Sequence, residues 1–289
     1  MKVNASQRSI GRHPTTAIEA APTQPPVAHR FAFFEQPLAA WTREYRDVLI
    51  AFISSRLLIV MLMGFSTMIV APGENGPRRG FAGILTQGDG ARYVEIASAG
   101  YGTGEEARAK AGLFPLYPSL VATVSIVVRD ATISAILVSN LALLGAGMLL
   151  KELLERHYAS RSVSRAGLTF LMFGPVSFFF SGAYPEATLL MFTIAALLAA
   201  DMQRWKIAAA AGACASATSA VGVIVLLPLA WEYIVARRER RAPGATIADG
   251  LLLVIVPLGC AAVLAVSWFR TGDALAPLSA TDVFRGGLV

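Results

Sequence analysis

The sequence predicts an all-α protein, a polytopic bundle of about seven membrane segments with a long first external loop. Three observations predict it. Hydrophobic residues fill 55% of the 289 positions and charged residues 15%, against roughly 25% charged in a soluble domain. The apolar residues fall in runs that match a bilayer core of about 30 Å, which takes about 20 residues of helix. Lys and Arg gather between those runs, where they read as topology signals.

Residues 1–30 are rich in Pro, Thr, Gln, Ala and Arg and lack the apolar core of a secretory signal, so they read as a disordered cytoplasmic tail. Phe31 to Tyr45, with Phe33, Phe34 and Trp41, reads as a short interfacial helix. Residues 1–46 thus precede a membrane domain over 47–289. Its spans are expected near 48–71, 132–150, 166–183, 187–202 and 248–269. Residues 114–128 hold two early prolines in a short stretch, which predicts a re-entrant or interfacial helix. Residues 207–236 are too long for one upright helix and carry Ser216, Thr218, Ser219, Gly222 and Pro228, which predicts a hairpin.

The net charge of +6 comes without a basic stripe or aromatic–basic alternation, which argues against nucleic acid. The two cysteines, Cys214 and Cys260, lie in apolar runs and indicate neither a disulfide framework nor a zinc site. His13, His29 and His157 are widely spaced in polar segments, without metal-ligand spacing.

Basic clusters set the orientation. Arg43 and Arg46 precede the first span; Lys151, Arg156, Arg161 and Arg165 form a second cluster; Arg204 and Lys206 a third; Arg237, Arg238, Arg240 and Arg241 a fourth. All four are cytoplasmic only if 114–128 does not cross and 207–236 crosses twice. The N-terminus is then cytoplasmic in a plasma membrane, expected to be bacterial. An external loop covers about 72–131, with six Lys/Arg and six Asp/Glu. The turn around Tyr184 to Glu186 and the end of the chain from Arg270 lie on the same outer face.

Two carboxylates on that face stand out. Asp89, in Gly88-Asp89-Gly90-Ala91-Arg92-Tyr93, reads either as a helix N-cap or as a general base at a wet cavity. Glu186, in Phe178-Phe179-Phe180-Ser181-Gly182-Ala183-Tyr184-Pro185-Glu186, either suits a helix dipole or joins Asp89 in one site. Arg56, eight residues into the first apolar run, either snorkels to the cytoplasmic headgroups or serves a site inside the membrane. Arg129-Asp130 reads as a turn with a local ion pair, and the Phe178–Phe180 run as lipid- or core-facing aromatics.

Three stretches together resemble the GPI mannosyltransferase II family and its bacterial relatives, membrane glycosyltransferases of the GT-C class. They are Asp89-Gly90 through Tyr93, Ile96, Ala97, Gly100 and Tyr101; Leu113-Phe114-Pro115-Leu116-Tyr117-Pro118; and Phe173-Gly174-Pro175 through Ser177 to Tyr184 and Glu186. The resemblance covers about residues 48–275 and includes Thr271-Gly272-Asp273-Ala274-Leu275. It implies transfer of mannose from a polyprenyl-phosphate carrier to an external glycan, lipid or protein acceptor, with inversion. It also implies Asp89 as base, Glu186 as a second acid, and Tyr93, Tyr117 and Tyr184 as pocket residues. No cofactor follows from the motifs, though a divalent cation is compatible with them. A departing lipid phosphate needs a cation, and Arg92 and Arg129 are candidates by position.

The chain departs from the family at three places: Gly88 stands where a Trp is usual, Pro185 where Thr is common, and Ser219-Ala220 where an Arg-Pro pair is expected. Relatives also carry further helices. These departures support a second expectation, a non-catalytic subunit that binds lipid-linked sugar or assists another membrane transferase.

Overall fold

The computed structural model describes residues 38–69, 80–239 and 245–278. The expected tail over 1–30, the first part of the expected interfacial helix, and Arg240 and Arg241 lie outside the described residues. The chain divides into two units, Met1–Thr42 and Arg43–Val289. Helix α1 (Leu38–Glu44) covers the end of the expected interfacial segment.

Among the described residues every regular element is a helix. The first span is α2 (Arg46–Ile69). The described part of the long loop is itself helical: α3 (Phe81–Leu85), α4 (Asp89–Ala99), α5 (Gly104–Lys110) and α6 (Leu116–Val128). Helix α7 (Ala131–Tyr158) begins at Asp130, whose carboxylate accepts from the Ile133 N–H at 2.8 Å, a cap worth about 1 kcal/mol. Asp130 therefore serves the helix instead of the expected pair with Arg129.

The expected span over 166–183 is not one helix. Helix α8 (Arg161–Phe173) stops at Gly174, and a 3-10 turn (Pro175–Phe178) follows. Pro175 has no N–H to offer and pushes Gly174 to extended backbone, which ends the helical ladder. Next come α9 (Glu186–Asp201) and α10 (Trp205–Thr218), then a 3-10 turn (Ala220–Val225) that leads into α11 (Leu226–Arg238). A capping box between Thr246 and Asp249 starts α12 (Ile247–Leu252). A further 3-10 turn joins it to α13 (Leu258–Thr271), which ends on left-handed Gly272.

Four helical stretches are long and apolar enough to cross a membrane: Arg46–Ser66, Ala131–Tyr158, Ala220–Arg238 and Ile247–Thr271. Leu116–Val128 is apolar but shorter, in keeping with its expected non-spanning role. The expected hairpin over 207–236 is present. Val225 and Leu229 pack near Gly212, and Trp205 meets the Tyr233 ring edge-on at 5.5 Å, so α11 runs back along α10.

Small residues let these helices approach closely. The core shared by α9, α10 and α11 includes Ala196, Ala199, Ala200, Ala208, Ala209 and Ala211. A Cβ on Gly259 of α13 would strike Ser216 and Ala213 of α10, and Ser216 Oγ donates to the Val256 carbonyl.

Basic residues mark one end of the bundle. Arg165 at the start of α8 bonds Asp47 at the start of α2 (2.9 Å), and Lys151 near the end of α7 lies 5.6 Å from the Tyr45 ring centre. Arg156 of α7 bonds Asp201 at the end of α9 (2.7 Å). Tyr233 of α11 donates to the Thr246 carbonyl ahead of α12 (3.0 Å). The described members of all four basic clusters therefore share one end, and the turn from Ser181 to Glu186 lies away from it.

Candidate functional site

Two turns meet here. The first, Gln87-Gly88, precedes α4, and the second, Ser181 to Pro185, precedes α9. The Ala183 N–H donates to the Leu85 carbonyl at 2.8 Å, and the Tyr184 hydroxyl donates to the Gln87 carbonyl at 2.8 Å. A Cβ on Gly90 would stand 3.2 Å from the Ala183 carbonyl oxygen and 3.6 Å from the Tyr184 ring, so only a bare backbone fits this approach comfortably. Helix α7 supports the second turn from behind: Ser139 Oγ donates to the Tyr184 carbonyl (3.0 Å), and the Asn140 amide donates to the Ser181 carbonyl (3.2 Å).

Asp89 and Glu186 are each the first residue of their helix, where the exposed N–H groups and the dipole favour negative charge. Asp89 is not the N-cap. That position belongs to Gly88, whose φ of +57° is left-handed backbone that a glycine adopts without strain. The Asp89 carboxylate is 60% exposed and stands 3.6 Å from the Arg92 guanidinium, one turn along the same helix. The Ala183–Leu85 and Tyr184–Gln87 bonds bring these two helix starts side by side.

Both charges reach Tyr93. Burial pushes its hydroxyl well above the usual tyrosine range, and Glu186, Tyr101 and Asp89 add to the rise, while the Phe114 backbone draws it partly back. The same two carboxylates act on Tyr184, which burial also raises. Tyr93 meets Tyr117 edge-on at 5.3 Å. Tyr117 is fully buried and bonds Ser139 Oγ (2.8 Å) and the Ala135 carbonyl (3.1 Å), so it backs Tyr93 and ties α6 to α7. Phe179 packs edge-on against Tyr184 at 5.4 Å.

Asp89, Arg92, Tyr93, Tyr184 and Glu186 thus form one group with Tyr117 behind it. Arg129 does not join it. It caps α6 in the left-handed region, exposed, twelve residues or about 18 Å along that helix from Tyr117. Thr271 to Leu275 forms a turn stapled by Asp273, whose carboxylate accepts from the Leu275 N–H at 2.8 Å.

Arg56 sits about 15 Å along α2 from Arg46, near the middle of that span. Its side chain does not snorkel to the basic end. The guanidinium turns sideways to the α8–α9 connection and donates to Ser181 Oγ, to Ser177 Oγ (2.7 Å) and to the Met172 carbonyl (3.5 Å).

Comparisons with protein-family models, with curated proteins and with solved structures find no match. Function therefore rests on the site itself. Among the described residues, no three His, Cys, Asp or Glu side chains converge as a metal-binding group. What converges is a pair of helix-terminal carboxylates, one arginine and two tyrosines.

Sequence inspection names those residues but misses what holds them together. Gln87, Ser139 and Asn140 supply the cross-links. Ser139-Asn140 carried a signal, since polar side chains within an apolar span normally face protein.

Proposed function

We propose that the chain is a membrane glycosyltransferase of the GT-C class that moves mannose from a polyprenyl-phosphate donor to an acceptor on the outer face. In this arrangement α2, α7, α8 with its 3-10 turn, α9, α10, α11 and α12–α13 are the seven membrane segments, with the basic end in the cytosol. The observation that carries the proposal is the meeting of the turns ahead of α4 and α9, which sets the helix starts bearing Asp89 and Glu186, 97 positions apart, beside one another.

An acceptor hydroxyl oxygen attacks the anomeric carbon, an Asp89 oxygen takes its proton, and the bond from that carbon to the phosphate oxygen breaks with its electron pair leaving on the phosphate. A positioned base contributes about 10²- to 10⁴-fold. The exposed Asp89 carboxylate has room to meet an acceptor, and Glu186 orients hydroxyls of acceptor or sugar. The half-buried Tyr184 offers its ring to the sugar, and the buried Tyr93 supports the site from behind.

The test is direct. The full-length protein in lipid, supplied with polyprenyl-phosphate-mannose and candidate glycan acceptors, should release sugar-free polyprenyl phosphate. Absence of release with every acceptor and with water counts against transfer.

One observation favours a second reading, a subunit that binds lipid-linked sugar beside another transferase. Ser219-Ala220 occupies the outer turn of the α10–α11 hairpin, where the resembled family carries Arg-Pro. Such a subunit would bind the donor without releasing its sugar.

A further inference from the structure

We propose that Arg56, with the hydroxyl of Ser181, is the phosphate-holding residue of this site, receiving the phosphate of a lipid-linked sugar or of its spent carrier. The proposal rests on the transferase reading for the identity of the lipid, but phosphate binding at Arg56 stands or falls by itself.

An arginine at the centre of a membrane helix is costly to insert and needs a reason to persist. Arg56 does not reduce that cost by reaching the headgroups. Every hydrogen-bond partner it has among the described residues is neutral: two serine hydroxyls from the α8–α9 connection, the Met172 carbonyl, and Ser55 Oγ on its own helix. Among the described residues no carboxylate stands within ion-pair distance of it. Arg56 is therefore a positive charge inside a span that is held by three hydroxyls and one carbonyl, with no counter-ion among the described residues.

The surroundings fit an anion. The guanidinium carries five N–H groups in a planar fork suited to phosphate, and four contacts leave donor capacity to spare. Ser177 is already committed as a donor to the Met172 carbonyl at 2.5 Å, whereas Ser181 accepts from Arg56 and keeps its own proton to give. Ile53 and Leu57 on the neighbouring face of α2 are more than half exposed, which places a lipid tail alongside. Ser181 is five residues from Glu186 in the turn that carries Tyr184, so a phosphate at Arg56 is joined by one short segment to the proposed sugar site. This location also supplies a cation where Ser219-Ala220 lacks one and Arg129 stands apart.

The experiment uses the full chain in nanodiscs of neutral phosphatidylcholine and measures binding of sugar-free polyprenyl phosphate to wild type, Arg56→Gln and Ser181→Ala. Arg56→Gln is expected to weaken binding at least about tenfold, and Ser181→Ala by about threefold. Inorganic phosphate in a parallel arm separates the sources: no competition is expected of a lipid-borne ligand, and competition reassigns the same site to a free anion. Equal binding by wild type and Arg56→Gln overturns the proposal. Should Arg56→Gln fail to fold, unchanged binding in folded Ser181→Ala overturns it instead. Arg56-dependent binding without sugar release would end the transferase reading and leave this site standing; sugar release with Arg56-independent binding would do the reverse.

Discussion

The Tyr184 hydroxyl donates to the backbone carbonyl of Gln87 at 2.8 Å, and that bond joins the turn ahead of Glu186 to the turn ahead of Asp89. Helix starts from two distant parts of the chain are held in register by it. Tyr184→Phe keeps the ring against Phe179 and removes only the hydroxyl. The expected cost in stability is about 1 kcal/mol, read by thermal unfolding. Sugar transfer should fall further, by about tenfold, because small misplacements of reacting groups are costly.

Gly182 tests the same junction by crowding. A Cβ there would lie 2.7 Å from the Leu85 carbonyl oxygen and 2.8 Å from the Tyr184 ring, so the two turns must part. Gly182→Ala is expected to destabilise by about 1–3 kcal/mol and to abolish transfer even in the fraction that remains folded. Ser98→Ala, on an exposed position of α4, is the control and should change neither measurement.

Orientation is tested by labelling. In a background lacking Cys214 and Cys260, Ser98→Cys should react with an impermeant maleimide on intact cells. Lys206→Cys, exposed beside the basic end, should react only after permeabilisation. Labelling of both from one side would break the assignment of the basic clusters to the cytosol.

The hairpin turn offers a gain-of-function test. Ala220 is the first residue of a 3-10 turn, a position that tolerates proline, and Ser219 before it is extended as the residue preceding proline should be. The double substitution S219R/A220P should therefore fold. If the second reading holds, it is expected to raise donor turnover from background by about tenfold or more; if Arg56 already holds the phosphate, turnover should change little.

Apolar runs near the bilayer length were legible from composition alone, and Arg46–Ser66, Ala131–Tyr158 and Ile247–Thr271 fall on the expected spans at 48–71, 132–150 and 248–269. The hairpin was legible because Gly222 and Pro228 interrupt an otherwise continuous apolar stretch. The break at Gly174-Pro175 carried the same kind of signal, but the hydropathy of the flanking residues masked it and an unbroken span was expected. At the site, residue types announced Asp89 and Glu186, while their proximity depends on the Ala183 and Gln87 backbones, which leave no sequence signature, and on Ser139, marked only as a polar residue within an apolar span. Arg129 looked equivalent to Arg92 by position, yet the straight run of α6 carries it away. Arg56 was visible as a charge in a span, but its partners lie more than 100 residues on, beyond any local pattern.

The most direct measurement is donor turnover by Asp89→Asn beside wild type, in lipid, with polyprenyl-phosphate-mannose and with folded protein matched by its unfolding transition. Asparagine keeps the size and polarity at the start of α4 but cannot take a proton. A fall of about 10²- to 10⁴-fold in sugar release with donor binding retained is the expected result. Equal release by the two proteins would contradict a base at Asp89, and with it the assignment of this pair of helix starts as a transferase centre.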